Sequence, residues 1–535
     1  MSDIKKSKIE LKDRAGKNLI AYFSKPARDG TRHLPSDDPE KWEKFKQYCM
    51  QDVRSERSIS KWCQTHYTPN VESEKRGWQV NERVNDNGIL IDKELCQAIV
   101  EYNAGFTEKQ ITRAREITGL DNPNSVSQLL EWLADRGISS SSLTKDTIPQ
   151  IIESTDDEEV KEMLKIRQSL SATSVTKYQR MLDAACSDGK VRGVMKFYGA
   201  NRTGRFAGRI IQTQNFPKPH IPAEELDAVR DLVKAKEWGK IEEQFPDIQD
   251  LFKQLLRTAM VASPGCVFSI ADYSAIEARV SAWMAHETWA EEEFHGSGKI
   301  YERTAAQMFN VPVETIAKGK ENYELRQRGK VAVLACGYGG GAGAMANMDV
   351  GHKIDPEEYP ALVAKWRKAN PHIVQYWSTM EQAVRSAMMT GNTYRIGDDN
   401  RSVTVRYKYG NVYVKLPSGR WLTYFHATIE NDRITYLGND SQKGWYRLST
   451  FGGKLFENLI QAIARDCIED SIEALDAAGF RVLFHVHDEI ICEIPADNAE
   501  EYLKKQTELM TADNTWGEGL YHPAPGFTTP YYTKD

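Results

Sequence analysis

The stretch FRVLFHVHDEIICEI, residues 480–494, decides the architecture of the C-terminal half of the chain. Two apolar runs flank the polar triplet His487-Asp488-Glu489, a pattern typical of two strands joined by a tight turn. Asp488 then lies at the tip of a hairpin, where a sheet meets solvent. The pattern therefore predicts a strand pair whose tip carries carboxylates.

A second acidic motif, ADYSAIEAR, occupies residues 271–279. The apolar run 266–271 predicts a strand and residues 276–285 predict a helix, so Asp272 lies at the turn between them. An isolated aspartate at such a turn is usually a turn former or a helix cap. Neither acidic motif identifies a function when it is taken alone.

A third motif, LRQRGKVAVLACGYGGG, covers residues 325–341. Arg326, Lys330, Leu334 and Tyr338 recur every four residues, which predicts one helix face about 18 Å long. Such a face fits a nucleoside triphosphate, with the two cations at the phosphates and Tyr338 among glycines at the base. The alternative is a solvated basic helix face followed by a glycine loop.

A fourth polar cluster begins at Asn201-Arg202-Thr203-Gly204-Arg205 and continues at residues 212–216 with Gln212, Gln214, Asn215 and Phe216. Its amide and guanidinium groups suit phosphates and the acceptors that every base pair presents in the minor groove. An ordinary polar surface loop explains the same residues equally well. The cluster therefore indicates nucleic-acid binding only in combination with the other three motifs.

The chain has 535 residues, a formal net charge of −6, 40% hydrophobic residues and 27% charged residues. This length indicates several domains of roughly 150 residues each, and the composition excludes collagen-like and wholly disordered proteins. The eight cysteines form neither a CxxC pair nor a zinc-type cluster. No apolar run reaches the ~18 residues of a membrane span, and no signal peptide is recognised, so a cytoplasmic protein without membrane partners is expected.

The hydrophobic periodicity changes several times along the chain. It predicts a helix at 39–63, a mostly helical region at 78–195 with one amphipathic run at 158–186, and mixed structure from residue 197. Residues 287–390 are predicted to be helical again, residues 393–424 to form hairpins around Gly410 and Ser418-Gly419, and residues 456–478 to form a helix. The chain is therefore an α/β multidomain protein.

The four motifs, with FENLIQAIARD at 456–466, resemble in order and spacing the motifs of family A DNA polymerases, and the bacteriophage members most. The resemblance extends from Trp78 to the C-terminus. It implies a right-hand fold whose palm is an antiparallel sheet with helices, and whose fingers and thumb are helical. The implied divisions are thumb and connecting helices at 66–195, first palm part at 196–286, fingers at 287–392 and second palm part at 393–535.

The resemblance also implies site residues and a cofactor. Asp272, Asp488 and the Tyr273 carbonyl would hold two Mg²⁺ ions, with Mn²⁺ as the alternative ion, and Glu489 would support the metal and the primer terminus. Lys330 would act as general acid on the leaving group. The implied nucleotide-binding residues are Tyr301, Arg326, Lys330, Leu334, Tyr338 and the steric gate Glu277, and the implied DNA-binding residues are Thr203, Arg205, Gln214, Asn215, Gln461 and His487.

Three positions depart from the family pattern. Leu334 is aliphatic where many members carry an aromatic residue, which leaves discrimination at the sugar 3′ position open. Ala275 replaces a commoner glutamine, and Tyr301 stands where many members carry histidine. These departures concern the nucleotide pocket and leave the two aspartates untouched.

Residues 1–65 resemble the remnant of a 3′ to 5′ exonuclease domain, because Tyr48 and Asp52 match its last motif. Asp38-Pro39-Glu40 has the spacing of an earlier motif but is interpreted as a helix start. Proofreading is therefore expected to be absent from this chain, through truncation, a split gene or loss of the domain. The expected ligands are primer-template DNA and deoxynucleotides, and a separate exonuclease subunit or processivity factor is an expected protein partner. If the protein is encoded by a phage, it is expected to act in the cytoplasm of the bacterial host.

Two other functions fit the same motifs. A catalytically silent DNA-binding relative would lack the carboxylates, yet Asp272, Asp488 and Glu489 are all present. A single-subunit RNA polymerase would carry a small residue at the steric gate, where this chain has Glu277. The favoured prediction is a template-directed DNA polymerase.

Overall fold

The computed structural model describes residues 16–25, 31–66, 72–144, 147–171, 174–349, 351, 353–398, 400–440 and 444–534. The chain divides into two compact units, Met1–Lys75 and Arg76–Asp535. In the first unit, helices α1 (Gly16–Ser24) and α2 (Pro39–His66) are described. Helix α2 confirms the predicted helix, and Asp38 caps it by accepting from the Lys41 amide at 3.0 Å.

The N-terminal part of the second unit is mainly helical, as the sequence predicts. Its elements are most of α3 (Glu72–Asn87), β1 (Ile89–Ile91), α4 (Lys93–Thr118), α5 (Val126–Asp135), α6 (Thr147–Ser154), α7 (Glu158–Leu170), α8 (Ser174–Ala184), β2 (Lys190–Val191), β3 (Met195–Lys196) and β4 (Ala207–Gly208). Helices α4 to α7 share a small apolar core that includes Leu129, Leu133 and Met163. No helix in the described ranges is long and apolar enough to cross a membrane.

The amphipathic run predicted at 158–186 is divided between two helices, α7 and α8. Helix α7 ends at Leu170, where the Ser171 amide bonds to the Arg167 and Ser169 carbonyls. Serine competes for backbone hydrogen bonds and so favours helix ends over helix interiors. Both helices have the same hydrophobic period, so the sequence pattern alone does not show where α7 ends.

Four antiparallel strands form the central sheet of the second unit, in the order β13 (Arg481–Val486), β14 (Glu489–Pro495), β6 (Cys266–Asp272) and β15 (Gly526–Thr529). Successive side chains of a strand point to opposite faces. Ile490 and Cys492 accordingly join one hydrophobic core, and Ile491 joins the other. Burial on both faces explains why apolar residues stand next to each other in both runs, instead of alternating with polar ones.

The second unit also contains twelve further described helices and one short strand. They are α9 (Ala223–Lys234), α10 (Trp238–Gln244), α11 (Ile248–Leu255), α12 (Ile276–Ala285), α13 (Thr288–His295), α14 (Ile300–Phe309), α15 (Leu325–Cys336), α16 (Ala342–Met348), α17 (Tyr359–Ala369), α18 (Pro371–Thr390), α19 (Gly452–Ala477) and α20 (Ala499–Met510), with the short strand β5 (Met260–Val261). Helix α19 is buried along most of its length, including Leu455, Phe456 and Leu459. It forms the centre of the larger core.

A second sheet contains six antiparallel strands in sequence order. They are β7 (Tyr394–Ile396), β8 (Val403–Lys408), β9 (Asn411–Lys415), β10 (Trp421–Glu430), β11 (Arg433–Asp440) and β12 (Gly444–Thr450). The hairpins predicted at 393–424 are confirmed. The sheet continues for two strands beyond them, where the sequence analysis assigned no structure.

Candidate active site

Strand register brings the two acidic motifs together. Asp272 is the last residue of β6, and Glu489, the first residue of β14, lies opposite it. His487 and Asp488 form the two-residue turn between β13 and β14, and His487 has the positive φ of 55° that tight hairpin turns need. The Tyr273 amide donates to the Asp488 carbonyl at 3.0 Å. Both aspartates therefore lie at one edge of the sheet, as the sequence predicts.

Two cations face these carboxylates. Lys534 Nζ lies 3.3 Å from Asp272 Oδ2, and Arg205 Nη2 lies 4.0 Å from Asp488 Oδ1. Burial raises the pKa of Asp488 to about 6, and the nearby Glu277 and Asp272 charges add to the rise while Arg205 opposes it. Burial likewise raises the pKa of Glu489 to about 7, against the opposing effect of Lys534. The site therefore concentrates negative charge that a bound cation would stabilise.

Glu489 and Tyr273 are both anchored in the protein interior. Glu489 is 1% exposed, and the Tyr532 hydroxyl donates to its Oε2 at 3.0 Å. The Tyr273 hydroxyl is bonded to Ser471 Oγ at 2.6 Å and donates to the Met510 carbonyl at 2.7 Å. The side chain of Tyr273 is thus committed to the core, which leaves its backbone carbonyl as the group available to a metal.

The donor chemistry of this edge fits magnesium. Aspartate carboxylates and a backbone carbonyl are hard oxygen ligands, which Mg²⁺ prefers. Asp272 and Asp488 keep 42% and 26% of their side chains exposed, so both are accessible. Among the described residues, no cluster of three or more His, Cys, Asp and Glu side chains is arranged as a metal site. The candidate ligands are the aspartate pair and the Tyr273 carbonyl, because the strand register places them at the same edge of the sheet.

Glu277 links the second and third motifs. It lies in the first turn of α12, where Arg205 Nη1 donates to its Oε1 at 2.8 Å and the Tyr338 hydroxyl donates to its Oε2 at 3.0 Å. One prediction is wrong here, because α15 ends at Cys336 and Tyr338 lies beyond the helix. Gly339 has a φ of 80°, a conformation that ends a right-handed helix.

Helix α15 carries the other three residues of the third motif. Arg326 Nε lies 2.7 Å from Glu302 Oε1, and its guanidinium carbon lies 5.7 Å from the centre of the Tyr301 ring. Lys330 is exposed, and Leu334 keeps 45% of its surface exposed. The predicted row of Arg326, Lys330 and Leu334 along one helix is therefore confirmed as local structure.

A cleft of about 510 Å³ adjoins the aspartates. Its lining combines Asp488 with most of the predicted DNA-binding residues, namely Arg205, Gln214, Asn215, Gln461 and His487. Thr203 is not in this lining. It is buried, and its hydroxyl accepts from the Arg205 amide at 3.3 Å. The structure therefore assembles the fourth motif, with Thr203 as a support beneath the loop.

Comparison with known proteins identifies the family of the chain. A family model described as DNA polymerase family A matches residues 94–396. A DNA polymerase of Bacillus phage SP02 is 44% identical over 537 residues, which cover 98% of this chain and 81% of that protein. The chain belongs to DNA polymerase family A. It is a DNA-directed DNA polymerase, an enzyme of template-directed DNA synthesis.

More distant relatives agree with this assignment. DNA polymerase I of Rhizobium leguminosarum is 24% identical over 51% of this chain and 24% of that protein. The thermostable DNA polymerase I of Thermus aquaticus is 22% identical over 53% of this chain and 29% of that protein. A solved POL domain of Pol1 from M. smegmatis, in complex with DNA primer-template and dNTP, matches 97% of this polymerase and 79% of that chain at a TM-score of 0.56 and 17% identity. This match confirms the right-hand fold.

A buried ion pair that contacts the loop of the fourth motif has no recognisable signal in the sequence. Arg420 Nε donates to Asp466 Oδ1 at 2.7 Å, and its Nη1 donates to the Thr203 carbonyl at 2.9 Å. Gly204 permits this contact, because a Cβ there would lie 2.6 Å from Arg420 Nη1. Arg420 directly follows the Ser418-Gly419 turn, so its sequence signal resembles that of an ordinary hairpin residue. The roles of Glu302 and Lys534 beside the predicted site residues were also not predicted, because no local sequence pattern marks either residue.

Proposed function

We propose that the polymerase transfers nucleotides from deoxynucleoside triphosphates to a primer 3′ end, with two divalent cations held by Asp272, Asp488 and the Tyr273 carbonyl. The observation that carries this proposal is the strand register that places Glu489 opposite Asp272, next to the turn residue Asp488. Cations bound there would stabilise charge on the attacking and leaving oxygens. Mg²⁺ is the expected ion, and Mn²⁺ is the alternative.

The triphosphate would bind along α15. Arg326 and the exposed Lys330 lie one helical turn apart and can each donate to phosphate oxygens. Lys330 also has a proton to give to the leaving pyrophosphate, which makes it the proposed general acid. Leu334 and Tyr301 would complete the nucleotide pocket on either side of this pair.

Glu277 would select the sugar of the incoming nucleotide. Two donors, Arg205 and Tyr338, fix its carboxylate at 2.8 and 3.0 Å. A carboxylate held in this way cannot move aside at low cost for an added 2′ hydroxyl. Deoxynucleotides should therefore be preferred over ribonucleotides.

The primer-template would occupy the cleft beside Asp488. Arg205, Gln214, Asn215, Gln461 and His487 line that cleft and offer hydrogen bonds to groups that every base pair presents, while Glu489 supports the primer side. Because phosphate contacts release counterions, DNA affinity should fall as salt concentration rises. The M. smegmatis relative, solved with DNA primer-template and dNTP, supports the same two ligands here.

The domain divisions inferred from the sequence are kept as part of the proposal. The palm would comprise residues 196–286 and 393–535, and it includes the four-stranded sheet. The fingers would comprise residues 287–392, whose described elements are mainly helices, and the thumb and connecting helices would comprise residues 66–195.

Residues 1–65 would not proofread. Asp38 caps helix α2 through the Lys41 amide and pairs with Lys41 Nζ at 2.8 Å, and Glu40 pairs with Lys44 at 2.7 Å. These contacts support a helix start rather than a second metal site. Proofreading would then depend on another protein, and a processivity factor is a further candidate partner. The phage relative suggests action in a bacterial cytoplasm.

Primer extension tests the proposal. A labelled primer-template is incubated with four deoxynucleotides and Mg²⁺, using the wild type, Asp488→Ala and the control Asp432→Ala, a side chain 96% exposed on the six-stranded sheet. Extension should be lost in Asp488→Ala and when the metal is chelated, and it should persist in Asp432→Ala. Extension by Asp488→Ala would refute the metal assignment, and degradation of a 3′-mismatched primer without nucleotides would refute the absence of proofreading.

A further inference from the structure

An ion pair joins helices α14 and α15 at the proposed triphosphate site. Arg326 uses its Nε to donate to Glu302 Oε1 at 2.7 Å. Within the described part of the chain, no hydrogen bond to either terminal nitrogen of Arg326 is found. The guanidinium is therefore held at one edge, while both Nη groups remain available to another ligand.

Close helix packing fixes this ion pair. A Cβ at Gly329 would lie 2.3 Å from the Tyr301 carbonyl oxygen, so the two helix backbones approach closely within one turn of Arg326. The Tyr301 ring lies 5.7 Å from the guanidinium carbon, within the range of a cation–π contact. Glu302 is only 17% exposed, against 35% for Arg326. The carboxylate therefore has little freedom to leave its partner.

Such a carboxylate could either compete with a triphosphate or orient the arginine that binds it. Competition requires Glu302 to occupy the Nη groups that phosphate oxygens would use, but it is bonded to Nε alone. The planar guanidinium can bind a carboxylate through one edge and phosphate through another. We propose that Glu302 is a positioning residue that holds Arg326 for the triphosphate of the incoming nucleotide. This inference rests on the proposed function of Arg326.

Single-nucleotide insertion at saturating primer-template separates the two roles. The dependence of the rate on deoxynucleotide concentration is measured for the wild type, Glu302→Gln, Glu302→Ala, Arg326→Ala and the double alanine variant. Glu302→Ala should raise KM about fivefold, the effect of losing a partly exposed ion pair, with kcat within about twofold of the wild type. Glu302→Gln should stay closer to the wild type because its amide oxygen still accepts from Nε. The double variant should match Arg326→Ala.

A neighbouring ion pair provides the control. Arg328, on the same helix, donates twice to Glu358 at 3.1 and 3.0 Å, and Glu358→Ala should leave KM unchanged. A lower KM in Glu302→Ala would mean competition and would overturn the proposal, as would an equal rise in Glu358→Ala. An unchanged KM in Arg326→Ala would refute the proposed function of Arg326 itself. A raised KM in Arg326→Ala with none in Glu302→Ala would refute only the positioning role.

Discussion

Replacement of Arg420 by alanine should destabilise the second unit strongly. The Arg420 and Asp466 side chains are 5% and 4% exposed, and their Nε to Oδ1 distance is 2.7 Å. Arg420 also donates to the Thr203 carbonyl at 2.9 Å and the Ala462 carbonyl at 2.8 Å. Removing Arg420 takes away the closest partner of the buried Asp466 carboxylate and leaves it Arg465 Nη1 at 3.4 Å, so the cost should lie toward the lower end of the about 3–5 kcal/mol of a broken buried ion pair. We therefore expect Arg420→Ala to lower the free energy of unfolding by that amount.

Urea unfolding measured by tryptophan fluorescence tests this magnitude. The matched control is Arg113→Ala, because Arg113 pairs with Glu162 at 2.7 Å in the same unit with side chains 50% and 44% exposed. Its loss should cost less than about 1 kcal/mol. The double variant Arg420→Met with Asp466→Leu should recover much of the stability, since it removes both buried charges. A cost below about 1 kcal/mol for Arg420→Ala would refute the reasoning.

Three further predictions follow from the site. Glu277→Ala should reduce the preference for deoxynucleotides over ribonucleotides about 5- to 150-fold, because it relieves a clash of about 1–3 kcal/mol. The preference is measured as the ratio of the two kcat/KM values, and an unchanged ratio would contradict the steric gate. Tyr338→Phe, which loses only the 3.0 Å hydroxyl contact to Glu277, should shift the same ratio in the same direction but less. The raised pKa values of Asp488, about 6, and Glu489, about 7, should make the metal-free protein less stable as pH rises from about 4 to about 7, because the folded state binds these protons more tightly than the unfolded state. Mg²⁺ should therefore raise the melting temperature more at pH 7.5 than at pH 5.5, and an equal shift at both would contradict this linkage.

The sequence predicted the structure best where local pattern and burial agree. Residues 266–271 and 276–285 were predicted as a strand and a helix, and the structure has Cys266–Asp272 and Ile276–Ala285. Both segments are apolar because they are buried in the two cores. The same agreement holds for the hairpin around His487 and Asp488, and the family resemblance supplied the pairing of these distant motifs.

Prediction from the sequence failed where the local residue pattern does not reflect the contacts that the residues make in the folded protein. Strand β12, Gly444–Thr450, is exposed at most of its positions, so it lacks the alternation that reveals a half-buried strand. Tyr338 continues the four-residue spacing of α15, but the glycines beside it end the helix first. Glu302, Arg420 and Lys534 act through partners far away in the sequence. Their contacts exist only after folding, and no local pattern identifies them.

The register between β6 and β14 also determines when the site first exists during synthesis. Asp272 and Asp488 are more than 200 residues apart in the sequence, and the pairing of β6 with β14 that brings them together is a non-local contact of the kind that forms slowly. A nascent chain that has released β6 from the ribosome still lacks the neighbour on either side of that strand, because β14 and β15 follow later. The two aspartates therefore cannot meet until residues 481–495 have emerged, so incomplete chains shorter than this would lack the proposed metal site.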